Sequence, residues 1–101
     1  MKIALDYDGT YTADPEMWNE VIEVFKNHGH EVTCVSSRFA TNPPTLVPLD
    51  IVCCSFRAKC RSFAADIWID DNPWSIHIDY PRDSSGNVGS PGRVGVLSPE
   101  K

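Results

Sequence analysis

Residues 2–10 read KIALDYDGT, so a short and mostly apolar run leads into two aspartates, Asp6 and Asp8, and then into a glycine and a threonine. Continuous apolar runs of this length are typical of strands that are covered on both faces, as in parallel sheets. We therefore predict a first strand over residues 2–6. The two carboxylates at its end need an explanation, because acidic side chains are seldom buried without a partner.

The sequence after this strand alternates between helical and extended patterns. The apolar residues between positions 18 and 25 repeat at helical spacing, with an N-cap signal at Asp14–Pro15 before them and Gly29 after them. This pattern predicts a helix over residues 15–28. The prolines of residues 39–48 indicate a loop. Four further strands are predicted over residues 31–36, 51–56, 66–70 and 76–80, the last at an edge, with one or two helical turns over 57–64.

Strands that alternate with helical segments are typical of βαβ units, so we predict an α/β fold with a parallel central sheet. The chain has 101 residues, of which 42% are hydrophobic and 23% charged, and these values fit one globular domain. We place that domain at residues 1–80. Residues 81–101 are rich in Gly, Ser and Pro, which predicts a loose tail.

Net charge and cysteine content narrow the possible functions. The formal net charge of −5 disfavours a general nucleic-acid binder, because an acidic chain repels phosphate backbones. No leader pattern and no apolar run of the roughly 18 residues that a membrane helix needs is found, so we expect a cytoplasmic protein with no membrane partner. Cys53, Cys54 and Cys60 raise a zinc or redox alternative, but no CxxC pair is present.

Three of the predicted strands end in groups that can do chemistry: Asp6, Ser36 and the pair Asp70–Asp71. In a parallel sheet these ends lie along one edge, where ligands bind near the point at which the strand order reverses. Converging carboxylates repel each other unless a cation neutralises them. Oxygen ligands of this kind favour Mg²⁺, which also binds substrate phosphate. The sequence therefore predicts a Mg²⁺ site at this edge.

Other residues provide the groups that an anionic substrate needs. Ser36 contributes a hydroxyl, Lys59 and Arg38 contribute positive charge, and backbone N–H groups near Gly9 and Ser37 can join them. Gly9 also permits a sharp turn and a close approach of the backbone. The substrate-binding candidates are Gly9, Thr10, Ser37 and Arg38.

The segments DYDGT (residues 6–10), VSSR (35–38), the isolated Lys59 and DIWIDDNP (66–73) occur in this order. Together they resemble the four motifs of the haloacid dehalogenase superfamily of phosphohydrolases, over roughly residues 2–80. The resemblance implies a three-layer, Rossmann-like fold.

The resemblance also implies roles for single residues. Asp6 matches the nucleophile that forms an aspartyl-phosphate, and Asp8 matches the general acid that protonates the leaving group and then activates water. Ser36 matches the hydroxyl that binds a phosphate oxygen, and Lys59 matches the cation that offsets phosphoryl charge. For its general-acid role Asp8 should have limited exposure.

The metal of the family would be held here by carboxylates of the first and last motifs. Asp6 and Asp71 match metal ligands, and the backbone carbonyl of Asp8 matches a further one. Asp70 matches an acid that supports Lys59 and the metal shell, and which of Asp70 and Asp71 contacts Mg²⁺ stays open.

The spacing of the motifs leaves no room for the cap domain that many family members insert. About 21 residues separate Thr10 from Glu31, and about 22 separate Ser37 from Lys59. We therefore expect a capless Mg²⁺-dependent phosphatase with an open site. Its candidate substrates are a nucleotide or the phosphorylated end of a larger molecule, and a second copy of the chain is a candidate lid. The alternative is a binding or regulatory domain that keeps the fold without catalysis.

Overall fold

The part of the protein that the structure describes is built on one sheet of four parallel strands. A computed structural model describes residues 1–81. The strands follow the order β3-β2-β1-β4. Their bounds are Lys2–Leu5 for β1, Glu31–Ser36 for β2, Ile51–Cys53 for β3 and Ile67–Ile69 for β4. One α-helix, α1, spans Pro15–Asn27, and three short 3₁₀ helices span Tyr11–Ala13, Lys59–Arg61 and Pro73–Ile76. The predicted α/β class and the parallel sheet are confirmed.

The strand order reverses at β1. From β1 the chain crosses to β2 and then to β3 on one side, and it returns to add β4 on the other side of β1. Because all pairs are parallel, the residues that follow β1, β2 and β4 lie at one edge of the sheet. This edge next to β1 is the kind of position at which open α/β sheets bind ligands.

Helix α1 forms as the sequence predicts. The Asp14 side chain accepts a hydrogen bond from the Met17 N–H at 3.2 Å, and Pro15 occupies the first helical position. After the helix Gly29 adopts a φ of +83°, which glycine tolerates best. Ile22 is the fully buried residue of the helix, and it packs in a core that includes Ile3 and Leu5 of β1.

The opposite face of the sheet has a thinner cover. Ala4 and Val35 pack there in a second cluster with Cys54, together with the partly buried Phe63 and Trp68. The chain over residues 54–65 supplies this cover, and its regular structure is limited to the short helix Lys59–Arg61. Within residues 1–81, the sheet is therefore covered by the helix α1 on one face and by a single 3₁₀ turn on the other.

Two strand predictions need correction. The segment 76–80 forms no strand, because Pro73 starts a 3₁₀ helix over Pro73–Ile76 and the chain then turns toward Tyr80. The strand predicted over 51–56 ends at Cys53, because Ser55 and Phe56 adopt left-handed φ angles of 53° and 60°. The loose tail predicted over residues 81–101 lies, from residue 82 onward, outside the described part of the chain.

The connections between the strands are short. Only the helix Tyr11–Ala13 and α1 lie between β1 and β2, and no separate domain is inserted between β1 and β4 in the described chain. Within residues 1–81, no helix has both the length and the apolar character needed to cross a membrane.

Candidate active site

Lys59 lies at the centre of a buried group of charges at the carboxyl edge of the sheet. Its Nζ donates hydrogen bonds of 2.6 Å to Oδ1 of Asp6 and of 2.6 Å to Oδ2 of Asp70. Asp6 directly follows β1, and its N–H donates to the Ile69 carbonyl at 2.9 Å, which extends the ladder to β4 by one bond. Lys59 is 1% exposed and Asp6 8%. The fold therefore brings together three charges that are distant in sequence.

Thr10 connects the first and last acidic segments. Its hydroxyl lies 3.0 Å from Oδ2 of Asp6 and 3.0 Å from Oδ1 of Asp71, and it accepts a hydrogen bond of 3.1 Å from the Asp71 N–H. A hydroxyl has one proton, so it donates to one carboxylate at a time. In this structure Thr10, predicted to bind substrate, is hydrogen-bonded to two carboxylates.

Gly9 is placed by the close approach of Asp71. Its φ is +82°, and a Cβ at this position would lie 2.5 Å from Oδ2 of Asp71. A side chain here would meet both backbone strain and a carboxylate. The glycine thus gives Asp71 room to lie against the turn that follows β1.

Burial dominates the electrostatics of this group. It raises the pKa of Asp6 to about 7, because desolvation penalises the carboxylate more than Lys59 stabilises it; the nearby Asp70 raises the pKa further. Burial lowers the pKa of Lys59, but the attraction and hydrogen bonds of Asp6 and Asp70 outweigh this effect, and the net pKa is raised. Lys59 is therefore a permanent cation, whereas Asp6 changes charge near neutral pH.

The carboxylates can also hold a metal ion. One oxygen from each of Asp6, Asp70 and Asp71 lies within 4.8 Å of the other two, and no other such group of His, Cys, Asp or Glu is found in residues 1–81. Carboxylate oxygens suit Mg²⁺, which uses few protein ligands and keeps several waters. A divalent cation would also relieve the repulsion among the three acids, of which Asp6 and Asp70 contact Lys59. The donor set fits the predicted ion.

Asp8 has a different position from the one expected. Its carboxylate accepts hydrogen bonds of 2.9 and 2.8 Å from Nε and Nη2 of Arg38, and its side chain is 56% exposed. The prediction of limited exposure is wrong in this structure, because the residue follows the turn outward from the strand end. The Arg38 guanidinium also lies 5.1 Å from the centre of the Tyr7 ring. Asp8 and Arg38 therefore form an ion pair at the rim of the site.

The two serines after β2 differ in their access to the site. Ser36 is 1% exposed, and its Oγ accepts a hydrogen bond of 3.1 Å from the Arg38 N–H. Ser37, and not Ser36, lines the cavity beside the carboxylates. The Ser36 hydroxyl retains its proton for donation, but in this structure it supports the turn at Arg38.

A cavity of about 310 Å³ opens above these groups. It contains most of the predicted site residues and five that the sequence reasoning missed. Asn72 belongs to the last motif and Ser75 lies two residues after it, so both could have been found from their positions. Asn42, Phe56 and Tyr80 are brought to the cavity by tertiary structure alone. The full lining is Asp6, Asp8, Ser37, Arg38, Asn42, Phe56, Lys59, Asp70, Asp71, Asn72, Ser75 and Tyr80.

Comparisons of the chain with models of protein families, with curated proteins and with solved structures find no match in any of the three. The function therefore has to be argued from the site itself. All four cysteines are free, and none belongs to the convergent group of possible metal ligands.

Proposed function

We propose that the protein is a Mg²⁺-dependent phosphomonoester hydrolase of the haloacid dehalogenase type, without a cap domain. One observation carries the proposal: Asp6, Asp70 and Asp71 converge with the buried cation Lys59 in one crevice. A nucleophilic carboxylate, a fixed positive charge and a cation site are the parts that phosphoryl transfer requires. The strand order supports the assignment, because the crevice lies where that order reverses.

Asp6 is the proposed nucleophile. One of its oxygens attacks phosphorus, the bond between phosphorus and the leaving oxygen breaks, and the phosphoryl group becomes an acyl phosphate on Asp6. The ammonium of Lys59, 2.6 Å from Oδ1, stabilises negative charge that moves between the carboxylate and the phosphoryl oxygens. Water then attacks phosphorus and releases phosphate, which restores the Asp6 carboxylate.

Asp8 is the proposed proton carrier. It gives a proton to the leaving oxygen in the first step and takes one from the attacking water in the second. In the structure both of its oxygens are engaged by Arg38. Substrate phosphate offers the Arg38 guanidinium an alternative bidentate partner, so substrate binding would free the Asp8 carboxylate to exchange protons.

The metal would be held by Asp6 and Asp71, with Asp70 shared between the metal shell and Lys59. When bound, Mg²⁺ lowers the repulsion between the carboxylates and the substrate and stabilises charge in the transition state. Thr10 keeps Asp6 and Asp71 at a common distance from its hydroxyl. Asp70 also accepts the Asn72 N–H at 2.9 Å, which orients its carboxylate toward Lys59.

The absence of an inserted domain in the described chain favours an open site. Its substrate is then either a small phosphomonoester that the cavity alone encloses or the phosphorylated end of a larger molecule. A second copy of the chain remains a candidate lid over the site.

The test is hydrolysis of p-nitrophenyl phosphate by the full chain with Mg²⁺, with EDTA, and in the variant Asp6→Asn. We expect turnover only with Mg²⁺ and a loss of at least about a thousandfold in Asp6→Asn. The amide is isosteric and uncharged, so this variant should keep the fold. Asp14→Asn is the matched control, since asparagine also caps α1 and the position is remote from the cavity.

A second variant tests the two roles of Asp8. Nitrophenolate leaves without a proton, so Asp8→Asn should release about one equivalent of nitrophenol rapidly and then react slowly, with the phosphoryl group retained on Asp6. Mass spectrometry after acid quenching locates that group. If the protein hydrolyses no phosphomonoester of a broad panel in the presence of Mg²⁺, the proposed phosphatase activity is refuted. Phosphate binding without turnover would instead support the regulatory alternative.

A further inference from the structure

The part of the cavity lining that carries no charge has an unusual composition. Its apolar residues are both aromatic, Phe56 and Tyr80, and its polar residues include two primary amides, Asn42 and Asn72. Among residues 1–81, no aliphatic side chain lines this cavity. Aromatic surfaces combined with amides are suited to a flat ring with polar edges, whereas an alkyl chain would leave the amides without hydrogen-bond partners.

The aromatic residues form a continuous wall. The ring of Phe56 packs edge-on against Phe39 at 5.1 Å and against Tyr80 at 5.0 Å, and Tyr80 in turn packs against Trp74 at 5.0 Å. Tyr80 is only 7% exposed. Contacts on several sides restrict the rotamers of these rings. A ligand ring would therefore bind an already ordered surface, which reduces the entropic cost of binding.

Phe56 is held at the cavity by a strained backbone. Ser55 and Phe56 have φ angles of 53° and 60°, which side chains other than glycine seldom adopt. Two hydrogen bonds fix this turn to the loop after β2: Ser55 N–H to the Arg38 carbonyl at 3.1 Å and Phe56 N–H to the Ser37 carbonyl at 2.6 Å. The Phe56 carbonyl accepts the Tyr80 N–H at 2.8 Å. Strain that the surroundings maintain in this way is characteristic of functional sites.

The two amides supply directional contacts. The backbone N–H of Asn42 donates to the Phe39 carbonyl at 2.9 Å, and that of Asn72 donates to Asp70, so both residues are positioned by their backbone. Within residues 1–81 neither side-chain amide is hydrogen-bonded to another protein group. Each offers a donor and an acceptor, the same pair of functions that the edge of a nucleobase presents.

We infer that the leaving group of the substrate carries a nucleobase, so that the substrate is a free nucleoside monophosphate. This inference rests on the proposed phosphatase function and specifies its substrate class. The volume of about 310 Å³ lies near the lower end of ligand cavities and suits a mononucleotide. The net charge of −5 disfavours a long polyanion and favours the free nucleotide over a nucleic-acid end. The amides favour a nucleobase over phosphotyrosine, whose bound ring has no polar edge.

The kinetic test compares nucleoside monophosphates, glycerol phosphate and phosphotyrosine as substrates with Mg²⁺. We expect KM for the preferred nucleotide to be at least about tenfold below that for glycerol phosphate, from stacking of one base. Phe56→Leu should raise the nucleotide KM about fivefold or more and leave the glycerol phosphate KM within about twofold. Phe56→Tyr, which keeps the ring, should restore the nucleotide KM.

Phe63→Leu is the matched control, because Phe63 packs with Trp68 on the far face of the sheet and does not line the cavity. The variants share the loss of an aromatic ring, so a general loss of packing would affect them alike. Circular dichroism and thermal unfolding show whether each variant is folded. A Phe56→Leu variant that does not fold is replaced by Phe56→Asn, since asparagine tolerates left-handed φ angles.

A binding measurement separates this inference from the proposed function. Uncharged nucleosides, with ribose as the control, are titrated into the full chain without Mg²⁺ while backbone amide signals are followed by NMR. Shifts at Phe56 and Tyr80 with a nucleoside and not with ribose would support the base site even if no phosphate ester were hydrolysed. Equal KM values for nucleotides and glycerol phosphate, a preference for phosphotyrosine, or absence of nucleoside-induced shifts would overturn the inference.

Discussion

Replacement of Lys59 by methionine tests the buried charge group most directly. The Lys59 side chain is 2% exposed, as is that of Asp70, and its Nζ lies 2.6 Å from Asp6 and 2.6 Å from Asp70. Methionine fills a similar volume without charge, so the variant leaves two carboxylates without their cation. Removal of one partner from a buried ion pair costs about 3–5 kcal/mol. We expect a loss of about 4 kcal/mol in the free energy of unfolding at pH 8.

The loss should depend on pH in a defined direction. In the wild type without metal, the Asp6 pKa is about 7 in the folded state and 3.8 in the reference state. The folded state therefore binds more protons between these values, and stability falls as pH rises from about 4 to about 7. Without Lys59 the pKa of Asp6 rises further. At pH 5 Asp6 is protonated with or without Lys59, so only Asp70 loses a charged partner and the loss should shrink to about 2 kcal/mol.

The assay is urea unfolding in EDTA, followed by tryptophan fluorescence, at pH 5 and pH 8. Lys26→Met is the control, because Lys26 lies in the last turn of α1, where its charge is worth less than about 1 kcal/mol. A loss for Lys59→Met below about 1 kcal/mol at pH 8, or an equal loss at both pH values, would show that the buried charge group does not exist as described.

Three further predictions follow from single features of the fold. Gly9→Ala should weaken Mg²⁺ binding, as measured by calorimetry, because the added Cβ would displace Asp71. Gly29→Ala is the control: its φ strain is the same, but nothing lies within 4 Å of the added Cβ, so this variant should bind Mg²⁺ normally. Equal affinities of the two variants would contradict this prediction. Mg²⁺ affinity should fall about tenfold for each pH unit below 7, because protonated Asp6 must lose its proton to bind, and calorimetry in two buffers should detect the released proton. Burial raises the pKa of the Cys34 thiol to about 12, so brief iodoacetamide treatment at pH 8 should modify exposed Cys60 and spare Cys34, as mass spectrometry can verify.

Local sequence was sufficient to predict the helices and strands whose defining residues lie close together in the chain. The cap at Asp14, the helical spacing in α1 and the stop at Gly29 act within a few residues of each other. The helix begins at the predicted residue and ends one residue before the predicted end. The apolar run of β1 and the β-branched and apolar residues of β2 identified these strands for the same reason. The failures occurred where a distant contact overrides local preference. Phe56 leaves the predicted strand because its N–H bonds to Ser37, and residues 76–80 turn because Tyr80 bonds to Phe56.

The features of the candidate site also divide into those that the sequence predicted and those that depend on tertiary structure. The order of the acidic motifs, together with the parallel topology, was sufficient to place Asp6, Asp70 and Asp71 at one edge, because consecutive parallel strands end on the same side. The resemblance implied that Asp70 supports Lys59, but the other partners of the side chains were not predictable, since they depend on where separate segments meet in space. Tertiary structure alone decided how deeply Lys59 is buried and that Asp8 pairs with Arg38. It also decided that Phe56 forms a wall of the cavity, because that position is set by backbone contacts between segments remote in sequence.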